Sequence, residues 1–483
     1  MKPSFALKGY YLLLLVLLLS FRPTAIYSQK RPNIIFFLVD DLGWSDISCY
    51  GSTYYETPNI DRLAESGMKF SHAYASSTLC SPTRASILTG KNPARLHITH
   101  AIPIMGYKRI DEGHGTPLKD ADYVMNLPLE EITIAEALKS AGYATASIGK
   151  WHVSEKETFF PQFQGFDVNI GGDGHGNTAN YFYPYNNKWR MAPGYPYQQW
   201  NTLPDGKEGE YLTDRLTEES LKFIDQNKNK PFFLYLSHYA VHTPIQAIKS
   251  IEEKYVKKPA DEIRGHKHAG YAAMLESVDN SMAALVVKLK TLGIADNTII
   301  IFASDNGGFG KVTSNYPFRG NKGNFYEGGI RVPLIIHWPG VTKQSEVDVP
   351  VISSDFYPTI LQMAGLPLMP DQHLDGLSLL PVLKGRGKLK RENLFWHFPN
   401  YVGTGHPNPS APLSVVSNGK YKLIESLETG VMELYDLSAD IREEKNLINE
   451  KPEIAAQLQK KLAAWRKSAK VQMPEVNPDY QKK

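Results

Sequence analysis

The sequence of 483 residues predicts an α/β protein with a large, doubly wound mixed sheet flanked by helices and a smaller C-terminal α+β subdomain. Three observations predict this class. Several short runs contain only apolar residues, many of them β-branched or aromatic, as in strands that are buried on both faces. Helical patterns alternate with these runs up to about residue 385. Beyond that point, closely spaced strands and a tight turn replace them.

Four strands of the large sheet are predicted, at Asn33–Val39, Tyr143–Ile148, Phe232–Ser237 and Thr298–Ala303. Polar residues follow each strand closely. Because ligand sites in open α/β sheets lie at the carboxyl ends of the strands, these polar residues are candidates for a functional site. They are Asp40, Asp41, Lys150, His152, His238, His242, Asp305 and Asn306.

Helices are predicted between the strands. The first begins with Thr57 as its N-cap and Pro58 in its first turn, and Gly67 ends it. The others are predicted at Thr133–Ala141, Tyr211–Gln226, Tyr271–Leu292 and Asp355–Ala364. Residues 170–208 are rich in Gly, Asn, Tyr and Pro and predict a long functional loop.

The C-terminal part has a different pattern. Leu413–Ser417 and Tyr421–Glu425 flank Asn418-Gly419, which is typical of a β-hairpin. Met432–Leu437 predicts a further strand, and Pro452–Lys470 an amphipathic helix. We therefore expect residues 29–385 to form the large domain and residues 386–483 an antiparallel sheet with a helix.

Residues 1–28 have the character of a signal peptide. Lys2 and Lys8 precede an apolar run, Tyr10–Phe21, whose 12 residues are fewer than the roughly 20 needed to span a membrane. We therefore expect an exported protein, periplasmic or secreted, and a signal anchor is the alternative.

The formal net charge is +3, and Lys2, Lys8 and Arg22 account for all of it, so cleavage would leave 0. A neutral protein has no bulk attraction for nucleic acids or acidic membranes. We expect no nucleic-acid partner and no stable membrane association. Any preference for an anionic substrate must come from a local cluster of charges.

Two pairs of residues predict a metal site. Asp40 and Asp41 follow one buried strand, and Asp305 and Asn306 follow another. Three carboxylates and an amide form an oxygen-only ligand set, which suits a hard divalent cation such as Ca²⁺ or Mg²⁺. A single Asp after a strand is usually a turn or helix cap, but two such pairs favour a metal site.

Cys49 and Cys80 are the only cysteines, and in an exported protein a disulfide between them is the ordinary interpretation. Cys80, however, opens the run Cys80-Ser81-Pro82-Thr83-Arg84. Pro82 fits the first turn of a helix, which places Cys80 at a helix N-terminus, where an anion is favoured.

This run resembles the signature of the type I sulfatases, in which an exposed Cys is followed by Pro two positions on and Arg four positions on. The family usually has Ser where Thr83 stands and Arg where Lys91 stands, and both changes are mild. Further segments match the family: Gly149-Lys150-Trp151-His152, Ala240-Val241-His242-Thr243-Pro244, Arg319-Gly320-Asn321-Lys322-Gly323 and Glu327-Gly328-Gly329-Ile330-Arg331. The resemblance covers residues 31 to about 385 strongly. It continues more weakly through Asp375–Ser378 and Leu434–Leu437.

The resemblance implies a sulfatase fold of the alkaline phosphatase-like type and a particular chemistry. A formylglycine-generating or sulfatase-maturating enzyme would convert Cys80 to formylglycine (3-oxoalanine), whose hydrate attacks sulfur. Cys49 would then be unpaired and buried. Asp40, Asp41, Asp305 and Asn306 would hold one Ca²⁺, in preference to Mg²⁺, together with residue 80.

The resemblance also assigns roles to the basic residues. Lys150 and Lys322 would bind sulfate oxygens, and Arg84 would hold the formylglycine. His152 would contact the formylglycine, and His242 would protonate the leaving oxygen. Such charges suit a reaction in which an anionic ester loses a poor leaving group.

Two alternatives remain open. One is a phosphodiesterase or phosphonate monoester hydrolase of the same superfamily, although the predicted metal ligands lack the His that a zinc phosphatase uses. The other is a binder of sulfated glycans that has lost turnover.

Segments 98–120 and 170–208 are predicted to form the pocket rim. Their aromatic and basic residues suit a sulfated saccharide derived from a polysaccharide, and plain loop packing is the alternative. These residues are His100, Lys108, Arg109, His114, His175, Tyr181, Tyr183, Tyr185 and Trp189.

Overall fold

An eight-stranded sheet lies at the centre of the computed structural model, which describes residues 31–102, 115–185, 200–387, 389–402 and 410–480. Its strands, in chain order, are β1 (Asn33–Val39), β2 (Met68–Phe70), β5 (Ala144–Gly149), β6 (Val168–Ile170), β7 (Phe232–Ser237), β8 (Thr298–Ser304), β9 (Leu334–His337) and β10 (Ser345–Val347). Short pairs elsewhere are β3 (Ala73–Tyr74) with β11 (Val351–Ile352), and β4 (Leu118–Lys119) with β16 (Glu475–Val476). The predicted signal peptide, residues 1–28, lies outside the described residues.

The strand order is β10-β2-β9-β8-β1-β7-β5-β6. Strands β8, β1, β7, β5 and β6 are parallel, whereas β9 is antiparallel to both of its neighbours. The prediction of a mixed sheet is therefore confirmed. In the register, Val39 lies opposite Ser304, so the acidic residues that follow β1 and β8 leave the sheet side by side.

Helices cover both faces of the sheet. They are α1 (Pro58–Ser66), α2 (Cys80–Thr89), α3 (Pro93–Leu96), α4 (Ile134–Ser140), α5 (Leu212–Asn227), α6 (Lys249–Val256), α7 (Ala269–Thr291), α8 (Glu327–Ile330), α9 (Phe356–Met363) and α10 (Leu380–Leu383). Because successive strand residues point to opposite faces, Ile35 and Phe37 pack with α5 and α7, and Ile34 and Phe36 pack with α2 and α9.

The start of α1 differs from the prediction in its cap. Thr57 precedes the helix, but its side chain does not cap it. Instead, Asp279 of α7 accepts hydrogen bonds from the backbone N–H groups of Asn59 and Ile60 at 3.0 and 2.8 Å. Thr57 is occupied elsewhere, because its hydroxyl accepts the N–H of Ser48. The cap is therefore supplied by another helix.

The C-terminal part forms a four-stranded antiparallel sheet of β12 (Leu394–Phe398), β13 (Leu413–Ser417), β14 (Tyr421–Ser426) and β15 (Met432–Asp436). One face packs Trp396 and Val415 against Tyr74 and Ile330 of the large part. The other face is covered by α11 (Pro452–Ala469). Within the described part of the chain, no helix has the length and apolar character required to cross a bilayer.

Candidate active site

Three buried carboxylates lie together at the carboxyl ends of β1 and β8. Asp40, Asp41 and Asp305 are at most 2% exposed. The backbone N–H of Asp41 donates to Asp305 Oδ1 at 3.2 Å, which joins the two loops. Asp41 has a left-handed backbone, with φ of 57°, a conformation that non-glycine residues rarely adopt outside functional sites.

The electrostatics of these carboxylates favour a cation. Burial raises the pKa of Asp40 to about 8, despite the nearby Lys150. Lys322 and His242 hold the pKa of Asp41 below its usual range against the effect of burial, and Arg84 does the same for Asp305. One of the three neighbouring carboxylates thus resists ionisation. A bound cation would relieve the repulsion between the carboxylates and allow all three to ionise.

The donor set fits a hard divalent cation. One ligand atom from each of Asp40, Asp41, Cys80 and Asp305 lies within 4.8 Å of the others. The amide oxygen of Asn306 is buried and has no hydrogen-bond partner among the described residues, while its nitrogen donates to Asp41 Oδ1 at 2.8 Å. The carboxylates and the amide are oxygen donors, which suit Ca²⁺ or Mg²⁺, whereas the sulfur of Cys80 is a soft donor that does not. The residues present therefore fit such an ion.

His242 also lies within reach of Asp40 and Cys80. Both of its ring nitrogens are engaged, because Nδ1 donates to the carbonyl of Thr243 at 2.7 Å and Nε2 accepts from Lys322 Nζ at 3.0 Å. The arrangement therefore favours the oxygen ligands over a zinc-type site with a histidine.

Cys80 faces this cluster from the first position of α2. Its Sγ lies 3.4 Å from Asp40 Oδ1 and 3.8 Å from Lys322 Nζ. Cys80 is 3% exposed, so the expectation of an exposed cysteine is wrong. Both cysteines are free, and Cys49 is only half-buried, which differs from the buried position expected of it. Burial and Asp40 raise the pKa of the Cys80 thiol, so it is not a thiolate.

Three cations balance the carboxylates. Arg84 Nη2 lies 2.7 Å from Asp305 Oδ2, Lys150 Nζ 2.6 Å from Asp40 Oδ2, and Lys322 Nζ 2.8 Å from Asp41 Oδ2. With a divalent cation bound, all three carboxylates would be ionised and would cancel the three basic groups, so the charge of the cation would remain in excess. Such a site attracts an anion.

The backbone before Lys150 requires a glycine. Gly149 has a φ of 99°, and a Cβ there would lie 1.9 Å from the carbonyl of Ser237. The same carbonyl accepts the N–H of Lys150 at 2.7 Å. This close approach of β5 to β7 directs Lys150 to Asp40.

The site opens beside two of its residues. The side chains of His242 and Lys322 are 16% and 11% exposed, whereas those of Asp40, Arg84 and Lys150 are at 0%. A substrate therefore approaches past His242 and Lys322. The charges of Asp40, Arg84 and Lys150 lie deeper in the site, out of contact with solvent.

The structure brings together ten of the site residues that the sequence indicates: Asp40, Asp41, Cys80, Arg84, Lys150, His152, His242, Asp305, Asn306 and Lys322. His238 is the exception, because it packs on Phe37 within the core and bonds Ser281 instead.

Sequence reasoning missed the groups that hold these residues. Ser81 Oγ accepts the N–H of Ile102 at 2.9 Å, and Ser304 Oγ accepts the N–H of Leu42 at 3.1 Å. Asp46 accepts from Gly43 N–H and from the hydroxyls of Tyr271 and Thr313. Asp46 follows Asp41 by only five positions, and this short spacing in the sequence could have indicated that Asp46 supports the site.

Several predicted rim residues are buried. His100, His175, Tyr181 and Tyr185 are at most 5% exposed, so loop packing explains them better than stacking on a sugar. The hydroxyl of Tyr181 contacts the carbonyls of Tyr239 and His242, and Tyr183 is partly exposed. Lys108, Arg109, His114 and Trp189 lie outside the described residues.

A mixed α/β sheet with a buried carboxylate cluster, a helix N-terminus and three cations at its carboxyl edge defines a hydrolase of the alkaline phosphatase superfamily. The family model for sulfatases matches residues 32–366, and the model for the C-terminal part of N-sulphoglucosamine sulphohydrolase matches residues 320–468. The chain therefore belongs to the sulfatase family and is a sulfuric ester hydrolase.

Individual relatives agree with this assignment. A sulfatase of Formosa agariphila is 35% identical, with 94% of this chain and 92% of that protein covered. Human N-acetylgalactosamine-6-sulfatase is 35% identical over 77% of this chain and 69% of its own length. The crystal structure of Ps i-CgsB in complex with k-i-k-neocarrahexaose superposes with a TM-score of 0.76 at 30% identity, covering 90% of this chain and 93% of that one.

Proposed function

We propose that this protein hydrolyses sulfate monoesters on a sulfated carbohydrate, with a formylglycine made from Cys80 and one bound divalent cation, Ca²⁺. The position of Cys80 carries the proposal. Its side chain is buried at a helix N-terminus between Asp40 and Lys322, and its thiol has a raised pKa. An unmodified thiol in this state is a poor nucleophile, and formylglycine would supply the nucleophilic hydroxyl that the thiol cannot.

Asp40, Asp41, Asp305 and Asn306 would hold the cation, which would supply positive charge to a sulfate group and to residue 80. Lys150 pairs with Asp40 and Lys322 pairs with Asp41, and both lysines would orient the sulfate oxygens. Arg84 neutralises Asp305 and also donates to the carbonyl of Lys150 at 2.9 Å, which fixes that loop. These charges are already in position before substrate arrives, which is the arrangement that stabilises a developing negative charge.

His242 is proposed to protonate the leaving oxygen. It lies on the open side of the site, and its Nε2 accepts a hydrogen bond from Lys322. Lys322 carries the proton of this hydrogen bond, so His242 would receive it on Nε2 and pass it to the leaving oxygen, which would leave Lys322 neutral. His152 is buried and would act on residue 80 rather than on the leaving group.

The carbohydrate substrate is supported by the relatives. N-acetylgalactosamine-6-sulfatase is named for a sulfated sugar, and Ps i-CgsB was crystallised with an oligosaccharide. A sulfated saccharide is therefore the proposed partner, together with a formylglycine-generating or sulfatase-maturating enzyme. An exported location, periplasmic or secreted, agrees with a polysaccharide-derived substrate.

A screen against defined sulfated oligosaccharides, with the desulfated position mapped by NMR, tests this proposal. Paired sulfate, phosphate and phosphonate esters of one alcohol belong in the same screen. Turnover of a sulfated sugar that is lost in Cys80→Ala and kept in Cys49→Ala supports the proposal. Faster turnover of the phosphate or phosphonate esters would favour the phosphodiesterase or phosphonate hydrolase alternative. Tight saccharide binding without turnover by the matured protein would favour a glycan binder.

A further inference from the structure

A buried ion cluster connects the C-terminal part of the chain to a short helix next to the active site. Lys422 of β14 is fully buried, and its Nζ lies 3.1 Å from Glu327 Oε1 and 2.9 Å from Glu443 Oε1. Glu443 Oε2 also accepts the backbone N–H of Glu327 at 2.7 Å. Glu327 is the first residue of α8. Two residues of the C-terminal part therefore hold this short helix by its first residue.

Helix α8 contacts three of the segments that carry the site. Gly328 N–H donates to the carbonyl of Arg319 at 2.8 Å, three residues before Lys322. The carbonyl of Gly329 accepts the N–H of Gly307, which follows Asn306, at 3.0 Å. The carbonyl of Ile330 accepts the N–H of Ala75, in the segment that leads to Cys80, at 2.7 Å.

The backbone of α8 packs directly against the backbone of the Lys322 loop, with no space for a side chain between them. A Cβ on Gly328 would lie 2.2 Å from the carbonyl of Gly320, and one on Gly329 would lie 1.9 Å from the carbonyl of Asn324. A displacement of α8 must therefore displace the loop, because close-packed backbone transmits strain.

A second tie joins the loop directly to the C-terminal part. Arg319 Nη1 donates to the carbonyl of Glu443 at 2.7 Å and to the hydroxyl of Tyr435 at 3.2 Å. The guanidinium also lies over the ring of Tyr326, 3.9 Å from its centroid. Unlike Lys422, Arg319 is exposed to solvent.

We propose that Lys422, Glu443 and Arg319 are positioning residues for sulfate ester hydrolysis. They hold α8 and the Arg319–Lys322 loop so that Lys322 Nζ stays 2.8 Å from Asp41 and beside Cys80. The inference rests on the proposed role of Lys322 at the sulfate group. A merely structural cluster would lower stability without slowing the folded enzyme.

The first test uses Arg319→Ala, because an exposed residue can be replaced without burying a lone charge. We expect kcat to fall about tenfold, less than the ~100-fold that a 1 Å misplacement can cost. KM and the melting temperature should not change. The loss should be at least as large for a sulfated sugar as for an aryl sulfate, because Lys322 contacts the sulfate that both share and also bonds His242, the proposed proton donor to the leaving oxygen. Arg62→Ala, an exposed arginine of α1 whose guanidinium donates to Asn59 of the same helix, is the matched control and should keep the wild-type kcat.

The second test separates position from charge balance. Lys422→Met leaves two buried carboxylates with too little positive charge, which should lower both stability and kcat. Adding Glu443→Gln removes one negative charge and should restore much of the melting temperature. The ion pair between Lys422 and Glu327 is still missing in this double variant, although the new amide can still accept the N–H of Glu327, so kcat should stay below the wild-type value.

Lys322→Ala separates the proposed role of Lys322 at the sulfate group from the positioning role of the residues that hold its loop. If Lys322→Ala keeps full activity, the proposed role of Lys322 fails. If Lys322→Ala is inactive but Arg319→Ala and the double variant keep the wild-type kcat, only the positioning role is overturned. Recovery of kcat together with the melting temperature in the double variant would also overturn it. If the Lys422 variants do not fold, Arg319→Ala decides alone.

Discussion

Nε2 of His152 lies 2.9 Å from the backbone carbonyl of Ile102, and this contact fixes the tautomer of the ring. A carbonyl can only accept, so Nε2 carries the proton and Nδ1 presents its lone pair. Nδ1 is buried and has no hydrogen-bond partner among the described residues. Burial, with Lys150 and Arg84, holds the pKa of His152 well below its usual range. His152 is therefore neutral, with one free acceptor inside the site.

His242 has the opposite arrangement. Its Nδ1 donates to the carbonyl of Thr243, and its Nε2 is the acceptor, with Lys322 as donor. Burial and Lys322 lower the pKa of His242 to about 3. The two histidines thus present different nitrogens from the buried and the open side of one site, which predicts different roles in the reaction.

Cys80 is expected to be converted to formylglycine. The aldehyde lowers the intact mass by about 18 Da, because CHO replaces CH₂SH. Intact mass spectrometry of the purified active enzyme measures this difference, and Cys49→Ala should show it unchanged. A peptide containing Cys80 that alkylates completely in active enzyme would contradict the prediction.

Turnover is expected to require a divalent cation. Exhaustive chelation, with metal loss verified by elemental analysis, should abolish activity, and Ca²⁺ should restore it. Asp305→Ala should lower kcat by roughly 10³-fold, which corresponds to several kcal/mol of lost charge stabilisation. Asp375→Ala is the control, because it breaks a partly buried pair with Arg95 and touches no proposed ligand. Full activity in the metal-free protein would refute the requirement.

Much of the sheet and of the site could be predicted because their signals are local. A strand such as Phe232–Ser237 is apolar up to its last residue, and the polar residues that follow it are visible in the sequence. The parallel register then brings Asp40 and Asp305 together without further information. The helix at Cys80 follows from Pro82 alone.

Contacts between distant segments could not be predicted in the same way. Asp279 caps α1 from 220 residues away, and nothing near Thr57 indicates it. Lys422 lies in a strand that also contains Glu425 and Ser426 and has the sequence character of a surface residue, yet it is fully buried between two glutamates. Such pairings depend on how two elements dock, which no periodicity encodes.

Stability is expected to fall in acid through His397. This residue of β12 is 5% exposed, its Nε2 donates to the carbonyl of Gln472 at 2.7 Å, and its Nδ1 accepts from Ser414. Burial lowers the pKa of His397 from 6.5 to about 4. Below pH 6.5 the unfolded chain binds a proton that the folded chain does not, so the free energy of unfolding falls as pH drops from about 6.5 to about 4. The loss approaches roughly 3 kcal/mol.

Denaturant unfolding of the wild type and His397→Asn across this pH range measures the effect. The variant should be less stable at pH 7 and should show a flatter pH dependence. His97→Gln breaks a different contact to the same C-terminal segment, at the carbonyl of Lys470, and so separates loss of a contact from loss of the titration. Equal slopes for wild type and His397→Asn would contradict the assignment.

The division of roles between the two histidines is expected to appear in leaving-group dependence. General acid help is worth roughly 10²–10⁴-fold and matters most when the leaving alcohol is poorly acidic. His242→Ala should therefore slow hydrolysis of a sulfated sugar far more than that of nitrophenyl sulfate, whose phenolate leaves unaided. His152→Ala should slow both alike, because its unpaired Nδ1 is buried and is proposed to act on residue 80 rather than on the leaving oxygen. The measurement is the ratio of kcat/KM between the two substrates for each variant. If both variants give the same ratio, His242 is not the proton donor, although the sulfatase assignment stands.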